Sequence, residues 1–380
     1  MNFSVIMISA NFYPYIGGTE KQTLEVSRAL KSRGARVLVL TQRIKGLPSQ
    51  EEVEGLFVRR LACWGTGTFG RVVFMFSSFF YLLLHAGDYQ ILHVHLASSP
   101  AVIAALVGKI LGKKVVVKLG GGKGCGEIAR SRGTFLGRLK LRAFGFLRPV
   151  FVAVSPGQIE ELNGFGLEKL QVALIPNGVN IKKYCPISAE EKNKLRDKYG
   201  WKGLVFLYVG RFDSDKRQPE LLKIFLEGWS GALQQGFRGL LFLVGQGPKE
   251  KTFQELIHRA GVEESVRILG AWQDVSSLYQ AADVFVLPTI SEGLSNALLE
   301  AMASGLPILA SCVSGTKEIL EGSGCGFLFD PFSPQEVVRH LKEISENSRQ
   351  LTLRGQKARE IVVSRFSLNQ TVETLMRFYQ

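Results

Sequence analysis

Residues 284–303 read Val284-Phe285-Val286-Leu287-Pro288-Thr289-Ile290-Ser291-Glu292-Gly293-Leu294-Ser295-Asn296-Ala297-Leu298-Leu299-Glu300-Ala301-Met302-Ala303. An apolar run, a Pro-Thr turn, a short polar loop and a second apolar run predict strand, loop and helix in that order. Gly293 lets the backbone come close to a ligand, and Ser295 or Asn296 can cap the helix. The first N–H groups and the dipole of such a helix suit a diphosphate. Glu300, about one turn into the helix, can accept hydrogen bonds from vicinal hydroxyls such as those of a ribose. Glu292 stays in the loop. Taken alone, two glutamates eight residues apart also fit a capped surface helix with solvated carboxylates.

The same rhythm extends in both directions. Apolar runs recur at Leu204–Val209, Leu240–Val244, Val266–Leu269 and Pro307–Ala310. In the first half they fall at Val5–Ser9, Val37–Thr41, Ile91–His95, Val115–Leu119, Phe151–Ser155 and Val172–Ile175, with helix-like segments such as Thr19–Ser32 and Pro100–Leu111 between them. Runs apolar on both faces and separated by helices indicate parallel sheets covered on both sides. The chain has 380 residues, which suits two domains of roughly 150–200 residues each. The turn segment Pro176-Asn177-Gly178-Val179-Asn180, followed by the charged, helix-prone Glu190 to Lys198, places the boundary near residue 180. The expected fold class is α/β: two doubly wound parallel-sheet domains, 1–180 and 181–365, facing each other across a cleft. A C-terminal helix in 366–380 is expected to pack back on the first. Ligands of such sheets bind at the carboxyl ends of the strands.

Composition narrows the function. Hydrophobic residues at 46% and charged residues at 21% give an ordinary globular balance and exclude a chain dominated by disorder. Residues 1–175 hold 22 Lys and Arg against 10 Asp and Glu, whereas residues 176–380 hold 25 against 23. The basicity therefore belongs to the first half, which can attract nucleic acid, anionic lipid or a phosphorylated substrate. No helix-turn-helix, zinc finger or RNP pattern accompanies it, so no nucleic-acid partner is expected. Cys63, Cys125, Cys185, Cys312 and Cys325 are scattered without a C-x-x-C pair, which argues for a reducing compartment and against a zinc site. The N-terminus has no basic n-region, so no signal peptide is read and a cytoplasmic location is expected. The apolar stretch Val72–Leu84 is shorter than the roughly 20 residues a spanning helix needs. It reads as a buried helix on a sheet or as an interfacial helix dipping into a membrane beside a basic surface.

Other stretches carry chemistry. Val209-Gly210-Arg211-Phe212-Asp213-Ser214-Asp215-Lys216-Arg217-Gln218 follows the first strand of the second half. Arg211 offers a planar fork to phosphate and Lys216 a mobile point charge. Both would neutralise a diphosphate leaving group, although a solvated turn balanced by Asp213 and Asp215 fits equally. In Tyr13-Pro14-Tyr15-Ile16-Gly17-Gly18-Thr19-Glu20, Gly17 and Gly18 before a helix allow close approach to a phosphate or sugar; a plain tight turn is the alternative. The stretch is not the six-residue dinucleotide fingerprint, which disfavours a dehydrogenase. Gly245-Gln246-Gly247 is read as shaping the nucleobase side of the pocket or as a simple turn. His93 and His95 form a lone H-x-H without further zinc ligands at suitable spacing. His95 is read near an acceptor and His93 as strand packing.

Together these elements resemble the family 4 glycosyltransferases, retaining enzymes of the GT-B fold, along nearly the whole chain. The resemblance rests on Gly17-Gly18, Val154-Ser155, Ile175-Pro176-Asn177-Gly178-Val179, Gly210-Arg211 with Lys216, Gly245-Gln246-Gly247, Ala282-Asp283-Val284, the Glu292/Glu300 pair and Ala303-Ser304-Gly305-Leu306-Pro307. It implies that Arg211 and Lys216 bind the donor diphosphate, Glu300 the nucleotide ribose, and that Glu292 lies by the transferred sugar. Arg211, Lys216 and Glu292 are accordingly the expected catalytic set. Gly17, Gly18, Gly210 and the run Gly293-Leu294-Ser295-Asn296 complete the expected donor site. No metal or other cofactor is implied.

One departure stands out. Many relatives carry a histidine after the fifth strand, in a loop over the transferred sugar, where this sequence has Lys118 in Val117-Lys118-Leu119-Gly120-Gly121-Gly122. Lys118 can meet an anionic group on sugar or acceptor, or can merely end the strand. Gly120–Gly122 with Gly124 suggest a flexible loop, and Glu127 is a candidate contact to acceptor or sugar hydroxyls. The expected function is transfer of a hexose or N-acetylhexosamine, with retention, from a UDP-sugar (GDP-mannose next) to a lipid-linked or anionic glycan acceptor. Peripheral contact with the inner membrane face is expected. Another enzyme of the same fold, an epimerase or phosphorylase, and a non-catalytic donor-binding subunit remain as alternatives.

Overall fold

The computed structural model describes the chain except residues 1, 2, 16, 65, 66, 123 and 214–216 and the side chains of residues 68 and 348. It divides into two compact units, Met1–Gly178 with Leu368–Gln380, and Val179–Ser367.

The first unit is built on an eight-stranded sheet: β1 (Ser4–Ile8), β2 (Arg36–Gln42), β3 (Gln50–Val53), β4 (Leu56–Leu61), β5 (Ile91–His95), β6 (Lys114–Lys118), β7 (Val150–Ala153) and β8 (Val172–Leu174). The order is β3-β4-β2-β1-β5-β6-β7-β8. Every pairing is parallel except that of β3 with β4. Its helices are α1 (Gly18–Lys31), α2 (Gly67–Leu84), α3 (Ser99–Leu111), α4 (Glu127–Arg132), α5 (Phe135–Leu147) and α6 (Pro156–Gly164). Phe74 and Leu82 of α2, Ala104 and Val107 of α3, and Leu141 and Phe144 of α5 cover one face of the sheet.

The second unit has a six-stranded, all-parallel sheet: β9 (Val205–Val209), β10 (Leu240–Val244), β11 (Val266–Gly270), β12 (Val284–Leu287), β13 (Ile308–Ser311) and β14 (Gly326–Phe329), ordered β11-β10-β9-β12-β13-β14. Around it run α7 (Ala189–Tyr199), α8 (Gln218–Gln234), α9 (Glu250–Ala260), α10 (Ser276–Ala281), α11 (Asn296–Ala303), α12 (Ser314–Leu320), α13 (Pro334–Glu346) and α14 (Ser348–Arg365). The last helix, α15 (Leu368–Tyr379), belongs to the first unit. There Leu368, Val372, Leu375 and Tyr379 pack with Leu24, Val26 and Leu30 of α1 on the second face of the sheet.

Three strands were not expected from the sequence. The hairpin β3–β4 turns through Glu54 and Gly55, both at positive φ, and pairs Val53 with Leu56. Its outer strand, Gln50-Glu51-Glu52-Val53, is polar and half-exposed, as suits a charged sheet edge that resists further pairing. At the far end of the other sheet, β14 alternates half-buried and buried residues. The apolar stretch at Val72–Leu84 answers to neither reading alone. It lies within the 18-residue α2, which buries Phe74, Ser78 and Leu82 while Phe69, Phe76, Phe80 and Leu84 stay exposed. No helix among the described residues is long and apolar enough to cross a membrane.

Each sheet reverses its strand order once. In the first unit the reversal lies at β1 and β5, and in the second at β9 and β12. Ligands of doubly wound sheets bind outside the carboxyl ends of the strands at such points.

Candidate active site

In the second unit the reversal brings two loops together. β9 ends at Val209 and β12 at Leu287, and the two strands pair directly. The loop after β9 is held by backbone: Gly210 N–H donates to Val244 O (3.0 Å), Phe212 N–H to Gln246 O (3.1 Å) and Lys249 N–H to Phe212 O (3.1 Å). Gly245 has φ +149°, and a Cβ there would overlap Gly210 O. The Gly245-Gln246-Gly247 turn thus lies directly against the loop that carries Arg211. The Arg211 side chain is 67% exposed, with Nε 3.2 Å from Asp213 Oδ2. Exposed pairs of this kind contribute little to stability, so a phosphate can replace Asp213 at small cost. Lys216, with Ser214 and Asp215, lies outside the described residues.

The loop after β12 is tied down as well. Thr289 N–H donates to Ser311 Oγ (3.0 Å), and Thr289 Oγ1 donates to Ser291 O (3.2 Å). Ser295 is the N-cap of α11, its Oγ accepting from Leu298 N–H at 3.4 Å, and Asn296 is the first helical residue. Gly293 and Leu294 are buried, Glu292 half-buried and Glu300 buried. The structure therefore brings Gly210, Arg211, Glu292, the Gly293–Asn296 run and Glu300 to the paired ends of β9 and β12.

Two tyrosines in this region were not singled out from the sequence. Burial and the neighbouring Glu300 charge hold the Tyr279 phenol well above its ordinary pKa, and the Tyr184 ring meets it edge-on at 5.9 Å. On β9, burial and then the Glu292 charge raise the Tyr208 phenol. Each of the two expected glutamates thus has a buried, neutral phenol beside it. The available signal was a hydroxyl inside an apolar strand, Phe206-Leu207-Tyr208-Val209, since buried tyrosines need a use for their polar end.

In the first unit, His95 and Lys118 are register partners at the ends of β5 and β6. Both are buried, as is His93. The His93 and His95 rings stack at 4.8 Å, and His93 Nδ1 shares a short hydrogen bond with the Tyr379 hydroxyl of α15. Burial, then the Lys118 charge, push His93 down to about 3. Burial, then the His93 and Lys118 charges, hold His95 well below its ordinary value. Burial alone pushes Lys118 down to about 7. Gly17 is the N-cap residue of α1 and Gly18 its first residue.

The described residues of the glycine-rich loop after β6 are hydrogen-bonded to neighbouring side chains. Gly120 N–H donates to Glu127 Oε2 (3.2 Å), Gln158 Nε2 donates to Gly121 O (2.7 Å), and Gly124 N–H donates to Glu161 Oε1 (2.9 Å). Side chains from α4 and α6 hold its backbone, and Glu127 is engaged with that loop. Arg60, buried in β4, donates to Glu51 and to Tyr13 O, so the unforeseen hairpin anchors the loop before Gly17. Among the described residues no group of three or more His, Cys, Asp or Glu is arranged to hold a metal ion.

Two family models match the chain. One, described as glycosyltransferase family 4, matches residues 16–183, and the other, glycosyl transferases group 1, matches residues 191–361. The chain belongs to the family 4 glycosyltransferases. It is 23% identical over 388 residues to the N-acetyl-alpha-D-glucosaminyl L-malate synthase of Bacillus anthracis, covering 98% of this chain and 96% of that protein. To the UDP-Gal:alpha-D-GlcNAc-diphosphoundecaprenol alpha-1,3-galactosyltransferase of Escherichia coli it is 26% identical, over 56% of this chain and 55% of that protein. Other curated relatives are matched over 57% and 42% of their length. Among solved structures, HepE of Anabaena in complex with UDP and glucose superposes with a TM-score of 0.80 at 19% identity, over 99% of both chains. This likeness shows the GT-B fold. The family assignment makes the chain a glycosyltransferase.

Proposed function

We propose that this glycosyltransferase moves a hexose or N-acetylhexosamine from a UDP-sugar, with GDP-mannose the next candidate, to a lipid-linked or anionic glycan acceptor. The setting is surface-polysaccharide or glycolipid assembly at the cytoplasmic face of a membrane. The observation that carries the reading is the convergence of Arg211, Glu292, the start of α11 and Glu300 at the paired ends of β9 and β12. The printed names of the relatives support it: one takes UDP-Gal to a diphosphoundecaprenol-linked sugar, and one structural neighbour holds UDP and glucose.

In this reading Glu300 accepts from the ribose hydroxyls. The diphosphate lies against Arg211, Lys216 and the first turn of α11. The bond from the anomeric carbon to the phosphate oxygen breaks as negative charge develops on the diphosphate. That cradle stabilises the charge electrostatically and calls for no metal or other cofactor. The acceptor hydroxyl attacks from the face the diphosphate leaves, and its proton passes to the departing phosphate oxygen. Configuration is retained. Glu292 stands by the sugar, and Gly17 and Gly18 serve the donor. His95, Gly120 and Glu127 serve the acceptor or sugar. Lys118 is a buried amine with no ion-pair partner among the described residues, and an anionic group on the acceptor would favour its charged form.

The test is acceptor-dependent release of UDP, with proton NMR of the product. An α-linked product from an α-linked donor supports the reading. Inversion, or UDP release that is indifferent to every acceptor, contradicts it.

A further inference from the structure

The outward side of α2 is as apolar as its buried side. Phe69, Val72, Phe76, Phe80 and Leu84 are all exposed and follow one another at intervals of three or four residues. They therefore form one stripe along the helix. The inward stripe, Phe74, Ser78 and Leu82, packs toward the sheet. Helices α3 and α5 cover the same sheet face and extend the apolar surface through Ile110, Leu139 and Phe146, each more than half exposed. Lys109 of α3 joins the two, its Nζ donating to Phe146 O at 2.9 Å and lying 4.0 Å from that ring. The three exposed phenylalanines of α2 alone present on the order of 300 Å² of apolar surface, at the scale where a soluble protein's patch marks an interaction site.

Charge selects the partner. Helices α2, α3 and α5 contain no Asp or Glu. Exposed Arg71 of α2, Arg138 and Arg142 of α5, and Arg148 just after α5 stand on or beside the same helices instead. Two copies of such a face would repel one another, whereas an anionic bilayer attracts the cations and accepts the rings. An amphipathic helix lying in the interface buries its apolar face at the headgroup boundary, which suits a helix too short and too mixed to cross.

We infer that the outer face of α2, α3 and α5 is a docking surface for anionic lipid bilayers, with the α2 stripe inserted and the surrounding Lys and Arg on the headgroups. This deepens the reading above and rests on it in one respect, that a lipid-linked acceptor is met at a bilayer. The surface lies within the first unit and uses none of the residues assigned to the reaction.

The test is flotation of the full chain with vesicles of phosphatidylcholine, alone or mixed with phosphatidylglycerol. Trp64, 68% exposed just before α2, is a built-in reporter. Binding to the mixed vesicles, weakened by salt, with a blue shift of tryptophan emission, is expected. The double variant Phe76→Asp/Phe80→Asp should lose binding by about tenfold or more while keeping UDP affinity and helical circular dichroism. Absence of wild-type binding to the anionic vesicles overturns the inference, as does unchanged binding of the double variant. A wild-type dimer that the double variant splits, without vesicle binding, overturns it in favour of a protein interface. Vesicle binding without any nucleotide affinity would defeat the donor reading and leave this one standing; the reverse pattern defeats only this one.

Discussion

Tyr208 and Gly210 lie two residues apart at the end of β9, and a Cβ on Gly210 would sit 2.6 Å from Tyr208 Oη. The phenol occupies the space that any side chain at 210 would need. The same loop is pressed from its other side by Gly245. The backbone bearing Arg211 is therefore set between a tyrosine hydroxyl and a neighbouring turn, and its path depends on both glycines.

Gly210→Ala should displace that loop. Overpacking of this kind costs about 1–3 kcal/mol, and nucleotide affinity should fall with it. Gly245→Ala should cost more, because its Cβ would meet a backbone oxygen with nowhere to move. Adding Tyr208→Phe to Gly210→Ala removes the nearest clashing atom and should recover part of the stability. Urea melts and UDP titration of the three variants check this.

Acid should weaken the first unit through its histidines. The folded chain holds His93 near 3 against an ordinary 6.5, so between those values the unfolded chain binds more protons. Stability then falls as pH drops below 6.5, by about 1.4 kcal/mol per pH unit for each histidine kept neutral. His95 is shifted in the same direction. His93→Gln should make the loss between pH 6.5 and 5 about half as steep, as read by urea midpoints.

Lys118 gives a pH signature in the opposite setting. Burial lowers it from 10.5 to about 7, so its charge is present below pH 7 and lost above. The KM for an anionic acceptor should rise as pH climbs through 7. Lys118→Met should show a high KM at every pH and no such rise. Between pH 7 and 10.5 the unfolded chain holds the extra proton, so the lysine's contribution to stability increases with pH in that window.

Glu127 and Gln158 offer a test of the loop after β6. Glu127→Ala frees Gly120 N–H, and Gln158→Ala frees the carbonyls of Gly120 and Gly121. Both variants should exchange the amides of residues 120–122 and 124 faster in hydrogen-exchange measurements. Their nucleotide affinity should stay within about threefold of wild type, since a cost near 1 kcal/mol for a lost hydrogen bond falls on the loop and not on the donor site.

Much of this was legible in the sequence. Runs such as Val284–Leu287 and Leu240–Val244 are apolar on both faces because both faces are covered, and such strands stand out without any alternation. A cap at Ser295 or Asn296 and the helix after it followed from residue chemistry, and the structure puts the cap at Ser295. The β3–β4 hairpin did not, because its edge strand is polar and its turn uses Glu-Gly where a stronger signal would be Asn-Gly or Asp-Gly. α2 was ambiguous for a different reason: a helix apolar on two opposite sides has no periodicity to show which side is inside. The clamp on the Gly120 loop depends on Gln158 and Glu161, some forty residues downstream, and no local pattern reveals such a partner. Tyr208 was hidden inside an apolar strand, where a tyrosine resembles any other core residue, and Tyr279 sits in a short helix, Ser276–Ala281, with no pattern pointing to Glu300.

The central claim is that Glu300 holds the ribose of the donor nucleotide at the start of α11. Calorimetric titration with UDP and GDP, on the wild type and on Glu300→Ala, tests it directly. The account predicts binding of UDP, weakened at least about thirtyfold by the substitution, or ~2 kcal/mol for hydrogen bonds to a charged group. Equal UDP affinity in the two proteins, or no affinity in the wild type for either nucleotide, would contradict it.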